Sequence, residues 1–230
     1  MGFAYNAPFT VSHNHTLGMD RPAGRSSLAS RNDDGTPVIH ISATIPGGED
    51  LIRRAGWQAR EVESLDALVS NPQRSAPSCL VLHLTRSGLD YATLIGELLD
   101  LPPSIPVICL ADDVDLAVVV GVMKVGALDV LRMPVSETSL LDAIRQALQR
   151  SEAVLKQEYE MRQLKERYEA LSQRERQVMT LVASGLLNKQ VGGTLGISEI
   201  TVKAHRGRVM SKMQANSFAS LIKMATTLAI

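Results

Sequence analysis

Residues 172–213 read SQRERQVMTLVASGLLNKQVGGTLGISEITVKAHRGRVMSKM, and they predict three short helices in close succession. Ser172 stands three residues before Glu175, the spacing of a capping box. There the hydroxyl accepts from one orphan amide at the helix start and the carboxylate accepts from another. Val178, Leu181 and Val182 follow at helical spacing and give one apolar face. Gly185 ends this helix, because glycine takes a positive φ at no steric cost. A second helix runs over 188–195 and stops at Gly196. Ser198 caps a third over 199–213, with Val202, Val209 and Met213 on its buried side and Lys203, Arg206 and Lys212 among the exposed residues. Gly192 and Gly193 each cost the second helix roughly 1 kcal/mol relative to Ala, so close helix–helix approach is expected at both. The pattern is a helix–turn–helix.

Working outward, the set Leu171, Arg174, Glu175, Val178, Leu181, Gly185, Asn188, Lys189, Leu195, Gly196, Ile197, Ser198, Thr201, Val202, Lys203, His205, Val209, Lys212 and Met213 resembles the C-terminal domain of LuxR/FixJ-type response regulators. The wording TVKAHRGRVMSKM is similar to the FixJ branch. The resemblance implies that the third helix enters the major groove of double-stranded DNA. It sets Lys203, Ala204 and Gly207 against base edges, where Lys203 can donate to guanine O6 and N7. Gly207 brings no side chain, and Arg206 and Arg208 flank it as substitutes. Lys189, Thr201 and Lys212 are expected on phosphates, contacts that position a protein without specifying sequence. His205 is expected against the DNA backbone or in packing, and Val202 in the core. A further amphipathic helix over 217–228, with Leu221, Ile222 and Ala225, corresponds to the family's fourth helix, which contributes to dimer contact.

Charge separates this segment from the rest. The chain is formally neutral, yet residues 171–230 hold eight Lys or Arg against two acids, a net +6, and the remainder carries −6. A basic module joined to an acidic one is the asymmetry of nucleic-acid binding proteins. The 230 residues suit two domains, and 45% apolar content supports a core in each. No apolar run reaches the ~18–20 residues of a membrane span, no signal-peptide pattern opens the chain, and two cysteines are too few for a disulfide framework. A cytoplasmic protein is expected. Residues 1–36 show no sustained periodicity and read as a disordered tail, in which His13 and His15 make a weak metal motif.

Between 37 and 150 strands alternate with helices. Strands are expected at 37–43, 58–62, 79–84, 107–110 and 129–132, and helices at 49–55, 65–69, 91–99, 116–125 and from 136. The run 79–84 is continuously apolar, as in a parallel strand buried on both faces. Five such units make an α/β doubly wound five-stranded parallel sheet. CLVLHL, PVICLAD, VMKVGALDVLRMPV and LLDAIRQAL resemble the third strand, the fourth strand, the α4–β5 segment and the last helix of a response-regulator receiver.

A receiver's chemistry is a phosphoryl-accepting Asp after the third strand, an acidic pair holding Mg²⁺, and a hydroxyl and a Lys on the phosphoryl oxygens. Here the acceptor position is His83, the acidic-pair region reads Ser42, Ala43, Thr44, the hydroxyl position is Ala111 and the lysine position is Met133. The joint loss predicts a receiver without aspartyl phosphorylation. Asp112, Asp113 and Asp115 stand in the loop after the fourth strand, and the first helix is short. His40 within its strand and His83 at the strand rim are expected to pack or hydrogen-bond, with a shared metal the weaker reading. Cys79 and Cys109 fall near opposite ends of neighbouring strands, so free buried thiols are expected.

Residues 136–170 lack Gly and Pro and predict one long helix joining the receiver-like domain (37–150), through a helical linker (151–170), to the all-α four-helix DNA-binding domain (171–230). Val154, Met161, Leu164, Tyr168 and Leu171 form a seven-residue pattern compatible with a short coiled-coil contact. The expected molecule is a DNA-binding transcription regulator of homodimeric habit, with no catalytic residues, metal, cofactor or membrane partner. Its receiver-like domain is open to a partner protein or a small ligand.

Overall fold

The computed structural model describes residues 35–42, 45, 47–62, 64–69, 76–84, 91–112 and 116–230. The expected N-terminal tail, apart from 35 and 36, lies outside these, as do Ala43, Thr44, Asp113 and Asp115. The chain divides into two compact units, Met1–Leu155 and Lys156–Ile230.

The first unit contains β1 (Val38–Ser42), α1 (Gly48–Arg54), β2 (Gln58–Val62), α2 (Asp66–Val69), β3 (Ser78–Leu84), α3 (Tyr91–Leu99), β4 (Val107–Ala111), α4 (Leu116–Lys124) and β5 (Asp129–Arg132), followed by α5 (Glu137–Glu169), which continues past the boundary between the units. The five parallel strands lie in the order β2-β1-β3-β4-β5. The doubly wound sheet read from the sequence is therefore present, and each expected strand falls within a residue or two of its place.

The side-chain alternation of β3 and β4 explains why both faces are covered. Leu80, Leu82, Leu84 and Cys109 pack with Leu68 of α2, Leu94 and Leu98 of α3 and Val122 of α4. On the other face Cys79, Val81, Ile108 and Leu110 pack with Ile39 and Ile41 of β1, Leu51 and Ile52 of α1, and Leu140, Ile144 and Leu148 of α5. Strands with period-two side chains and apolar residues on both faces can only be satisfied between two helical layers.

The two cysteines are free and buried. The reason differs from the expected one: they point to opposite faces of the sheet, one into each core. Burial pushes both thiols up to about 12. The same alternation sets His40 on the face opposite Ile39 and Ile41, whereas His83 shares the face of Cys79 and Val81. The two imidazoles thus lie on different sides of the sheet and cannot share a metal.

α5 is held to this unit by a polar pin as well as by its apolar stripe. The fully buried Ser151 Oγ accepts from Ser78 N at 3.0 Å and donates to Ser104 O at 2.6 Å. One hydroxyl thereby satisfies a donor and an acceptor that burial would otherwise leave unpaired.

The second unit comprises the end of α5 with α6 (Gln173–Ala183), α7 (Asn188–Leu195), α8 (Glu199–Met213) and α9 (Phe218–Thr227). Its core is Leu171, Val178, Met179, Val182, Val191, Val202, Val209, Met213, Leu221 and Ala225, with Leu164 and Tyr168 of α5 packed against it. Three members of the seven-residue pattern, Leu164, Tyr168 and Leu171, are therefore committed to this core, which leaves the expected coiled-coil seam with little apolar surface of its own. Among the described residues no helix is long and apolar enough to cross a membrane.

Candidate nucleic-acid interface

Local chemistry fixes the three helices before packing does. Ser172 Oγ accepts from Glu175 N at 3.3 Å, and Glu175 Oε2 accepts from Ser172 N at 2.8 Å, completing the capping box. The same carboxylate oxygen accepts from Lys212 Nζ at 2.7 Å, and that ammonium also donates to Ala170 O at 3.2 Å. The Lys212 hydrogen bond, followed by the Ser172 amide, holds the Glu175 carboxyl well below the usual range, at about 2, against the opposing effect of its burial. The start of α6 and the end of α8 are thus tied through one carboxylate.

The turn between α7 and α8 rests on two glycines with different tasks. Gly196 takes φ +67° at the end of α7. Gly192 lies under the turn, and a Cβ there would stand 2.7 Å from Ile197 O, a backbone atom. Gly193 has nothing within 4 Å of the corresponding position. The expectation of close approach holds for Gly192 and fails for Gly193, which faces solvent. Ser198 then caps α8, its Oγ accepting from Thr201 N at 3.1 Å.

α8 has two faces. Val202, Val209 and Met213 are fully buried. Opposite them Ile200, Lys203, Ala204, Gly207, Arg208 and Ser211 are all exposed. Lys203 lies 3.5 Å from Glu199 in an exposed i, i+4 pair, an arrangement worth only a few tenths of a kcal/mol, so it costs little for the ammonium to leave.

At the carboxyl edge of the sheet the geometry is closed. β1 and β3 flank the point where strand order reverses, the place where open α/β sheets bind ligands. There Ser42 Oγ accepts from His83 N at 3.1 Å, and His83 Nε2 lies 3.1 Å from Asp112 Oδ2. The His83 side chain is 2% exposed. His83 is therefore a buried member of β3, not the rim residue expected. Ala111 is buried at the end of β4, and Met133, on the amino side of a cis peptide bond to Pro134, packs against the α1–α5 core. Beside this edge a cleft of about 810 Å³ is floored by Leu110, Met133 and Leu140 and bordered by Arg53 and Arg54.

Residues 169–225 match the family described as bacterial regulatory proteins of the luxR family. Over 184 residues the chain is 41% identical to Nodulation protein W of Bradyrhizobium diazoefficiens, covering 79% of this chain and 80% of that one. It is 32% identical to the response regulator protein TodT of Pseudomonas putida over 211 residues, 92% of this chain and 90% of its relative. Among solved structures, that of the response regulator StyR aligns with a TM-score of 0.66 at 29% identity, covering 83% of this chain and 98% of StyR. The chain belongs to the response-regulator transcription factors of the LuxR/FixJ type. The five-stranded sheet is the receiver-like part of such a regulator, and the α6–α9 unit is its LuxR-type helix–turn–helix.

Within this LuxR-type unit the sequence-predicted residues separate. Lys189, Lys203, Ala204, Gly207 and Arg208 are exposed. Thr201 is half-buried, its hydroxyl 2.8 Å from Ser198 Oγ. Arg206, expected among the exposed residues, is half-buried instead. Its guanidinium stacks 4.4 Å from the centroid of the Phe218 ring, and Nη1 donates to Asn188 Oδ1 at 3.3 Å. It staples α8 to α7 and α9. Lys212 is engaged by Glu175 and Ala170 within the unit. His205 is half-buried, and its Nδ1 is buried with no hydrogen-bond partner among the described residues. Sequence reasoning passed over Ile200 and Ser211, although their four-residue spacing from Ala204 and Gly207 respectively sets them on the same line of α8.

Proposed function

We propose that this LuxR/FixJ-type regulator binds a specific double-stranded DNA site as a homodimer in the cytoplasm, and that its receiver-like unit acts without aspartyl phosphorylation and without enzymatic activity of its own. The single observation that carries the second half of this reading is His83. At the phosphoacceptor position it presents a buried imidazole bonded to Asp112 rather than a free carboxylate. Ser42, Ala111 and Met133 supply neither a Mg²⁺-binding acid nor a cation for the phosphoryl oxygens, and Ala43 completes the same substitution in the sequence. DNA binding is supported by the exposed outward line of α8; on this reading Lys203 donates to a guanine edge, and Lys189, Thr201 and Arg208 meet phosphates or neighbouring bases. Ala204 and Gly207 lie on the base-facing line. Arg206, His205 and Lys212 shape the unit and are less free to meet DNA. A single reader covers few base pairs, which favours paired half-sites and a two-fold dimer.

The test is electrophoretic or fluorescence titration of the full chain on a selected site. Lys203→Ala should weaken specific binding roughly ten-fold or more, the value of one good base contact, and leave melting unchanged. Mg²⁺ with acetyl phosphate or BeF₃⁻ should leave affinity unchanged, and a clear increase would refute phosphorylation independence.

A second reading of the input is favoured by the cleft of about 810 Å³ beside Met133. A small, largely apolar ligand would fit its Leu110, Met133 and Leu140 floor, since Arg53 and Arg54 at its border are already paired with Glu49 and Glu137. Ligand-dependent melting of the full chain distinguishes this from control by a partner protein, which would instead persist in pull-downs with Lys203→Ala.

A further inference from the structure

We infer that Ile200 is a specificity-determining residue that recognises thymine through its 5-methyl group. The inference rests on the DNA-binding reading of α8. Among the large apolar side chains of the described residues Ile200 is the most exposed, at 79%. It stands two residues beyond the Ser198 cap, in the first turn of α8, and the N-terminal residues of recognition helices are those that reach base edges.

Packing gives no account of isoleucine here. Ile200 is absent from the core of its unit and from the partly buried side chains around it. A β-branched residue is also a slightly poorer helix former than Ala. On stability alone an alanine or glutamate would serve better in this first turn.

Its neighbours on the helix surface give it a setting. Ile200, Ala204, Gly207 and Ser211 succeed one another at intervals of four, three and four residues, on the side opposite Val202, Val209 and Met213, and all four are exposed. Ala204, Gly207 and Ser211 have at most two side-chain heavy atoms each. A Cβ built on Gly207 meets nothing within 4 Å, so no intramolecular crowding requires that glycine. A helix surfaced in this way can lie close against base-pair edges, and the exposed Lys203 and Arg208 border the line on either side.

Ile200 is the one long side chain on the line, and it has neither donor nor acceptor. The thymine methyl is the apolar feature of the major-groove code. Against cytosine N4 or guanine O6 the same side chain would strip water from a polar edge without replacing its hydrogen bond.

The experiment begins with selection of bound duplexes from a random pool by the full chain. Each thymine of the selected site is then replaced by deoxyuridine, which pairs identically and lacks the methyl. Wild type should lose about four-fold in affinity at one thymine per half-site, as expected of one buried methyl-sized group. Ile200→Ala should bind the thymine and deoxyuridine duplexes equally, with a melting temperature no lower than wild type. Ile200→Val should keep part of the discrimination. Equal deoxyuridine sensitivity in wild type and Ile200→Ala at every position, or none in either, overturns this inference alone. A selection that yields no bound sequence overturns the DNA-binding reading and this inference together.

Discussion

At the carboxyl edge of the sheet, His83 is closed in at 2% exposure and bonded to Asp112. On the outward line of α8, Ile200, Ala204, Gly207 and Ser211 stand open to solvent. Both are places where this family of regulators places its chemistry, yet one is sealed by its own side chains and the other is held free of them. The strands beneath His83 persist because their apolar alternation is required by two helical layers whatever residue ends the strand. α8 persists because Val202, Val209 and Met213 anchor one side, which leaves the other unconstrained by folding. A fold can therefore keep a platform whatever side chain stands at its edge, while the residues of an outward face are left undetermined by packing.

The largest effect that bears on this contrast belongs to the turn that presents α8. Gly192→Ala drives a Cβ into Ile197 O, and backbone must move to admit it. We expect a loss of about 2–3 kcal/mol in the stability of the helix–turn–helix unit, in the range of core overpacking, read by urea denaturation. An unchanged midpoint would mean that the turn is not held by close approach.

His83→Asp tests the sealed side. It brings a carboxylate beside Asp112 where an imidazole had bonded to it, and like charges in a buried place disfavour each other. A cost of about 2 kcal/mol is expected, with no gain of phosphoryl-dependent DNA affinity, because Ala111 and Met133 still lack the supporting groups. A restored response to acetyl phosphate would break the contrast.

Glu175→Gln keeps a carbonyl acceptor for the Ser172 amide but removes the charge that Lys212 pairs with, and should cost about 1–2 kcal/mol. The wild-type carboxyl titrates at about 2 in the folded chain against an ordinary value of 4.5. The unfolded chain therefore binds the proton more readily. The stability that Glu175 contributes is complete above about pH 4.5 and is lost as pH falls toward about 2. The variant should show a shallower acid dependence across that window in thermal melts of the full chain.

Smaller still are two glycine replacements of equal helix chemistry. Gly193→Ala and Gly207→Ala meet no neighbour, and each should raise stability by roughly 1 kcal/mol. Only Gly207→Ala should also weaken DNA binding, since only that position lies on the outward line of α8. Equal DNA affinity in both variants would show that close approach at Gly207 is unnecessary. The smallest expected effect is zero, the response of wild-type DNA affinity to BeF₃⁻ and Mg²⁺.

Much of the architecture was legible because it depends on local rules. Ser172 with Glu175, Ser198, Gly185 and Gly196 mark helix ends by their own chemistry, and the continuous apolar run ending at Leu84 announces a strand covered on both sides. What remained hidden depends on neighbours distant in sequence. Gly192 and Gly193 are indistinguishable in the sequence, and only the path of the following turn decides which one faces a carbonyl. Arg206 reads as a surface cation until α9 brings Phe218 beneath it. Lys212 reads as an unattached surface cation until the fold sets it against a carboxylate 37 residues earlier. His83 is the same case on the receiver-like side: its position was assigned, but the Asp112 bond and the burial required the sheet to be assembled.

Cys79 and Cys109 give the sheet a built-in reporter. Each thiol is buried, pushed up to about 12 and aimed into a different core, so neither can react with an alkylating reagent while its own layer is closed. Labelling rates resolved by peptide mapping would therefore time the opening of the α1–α5 layer and of the α2–α4 layer separately. Any signal that loosens one side of the sheet before the other would be recorded by the chain's native cysteines, without an introduced probe.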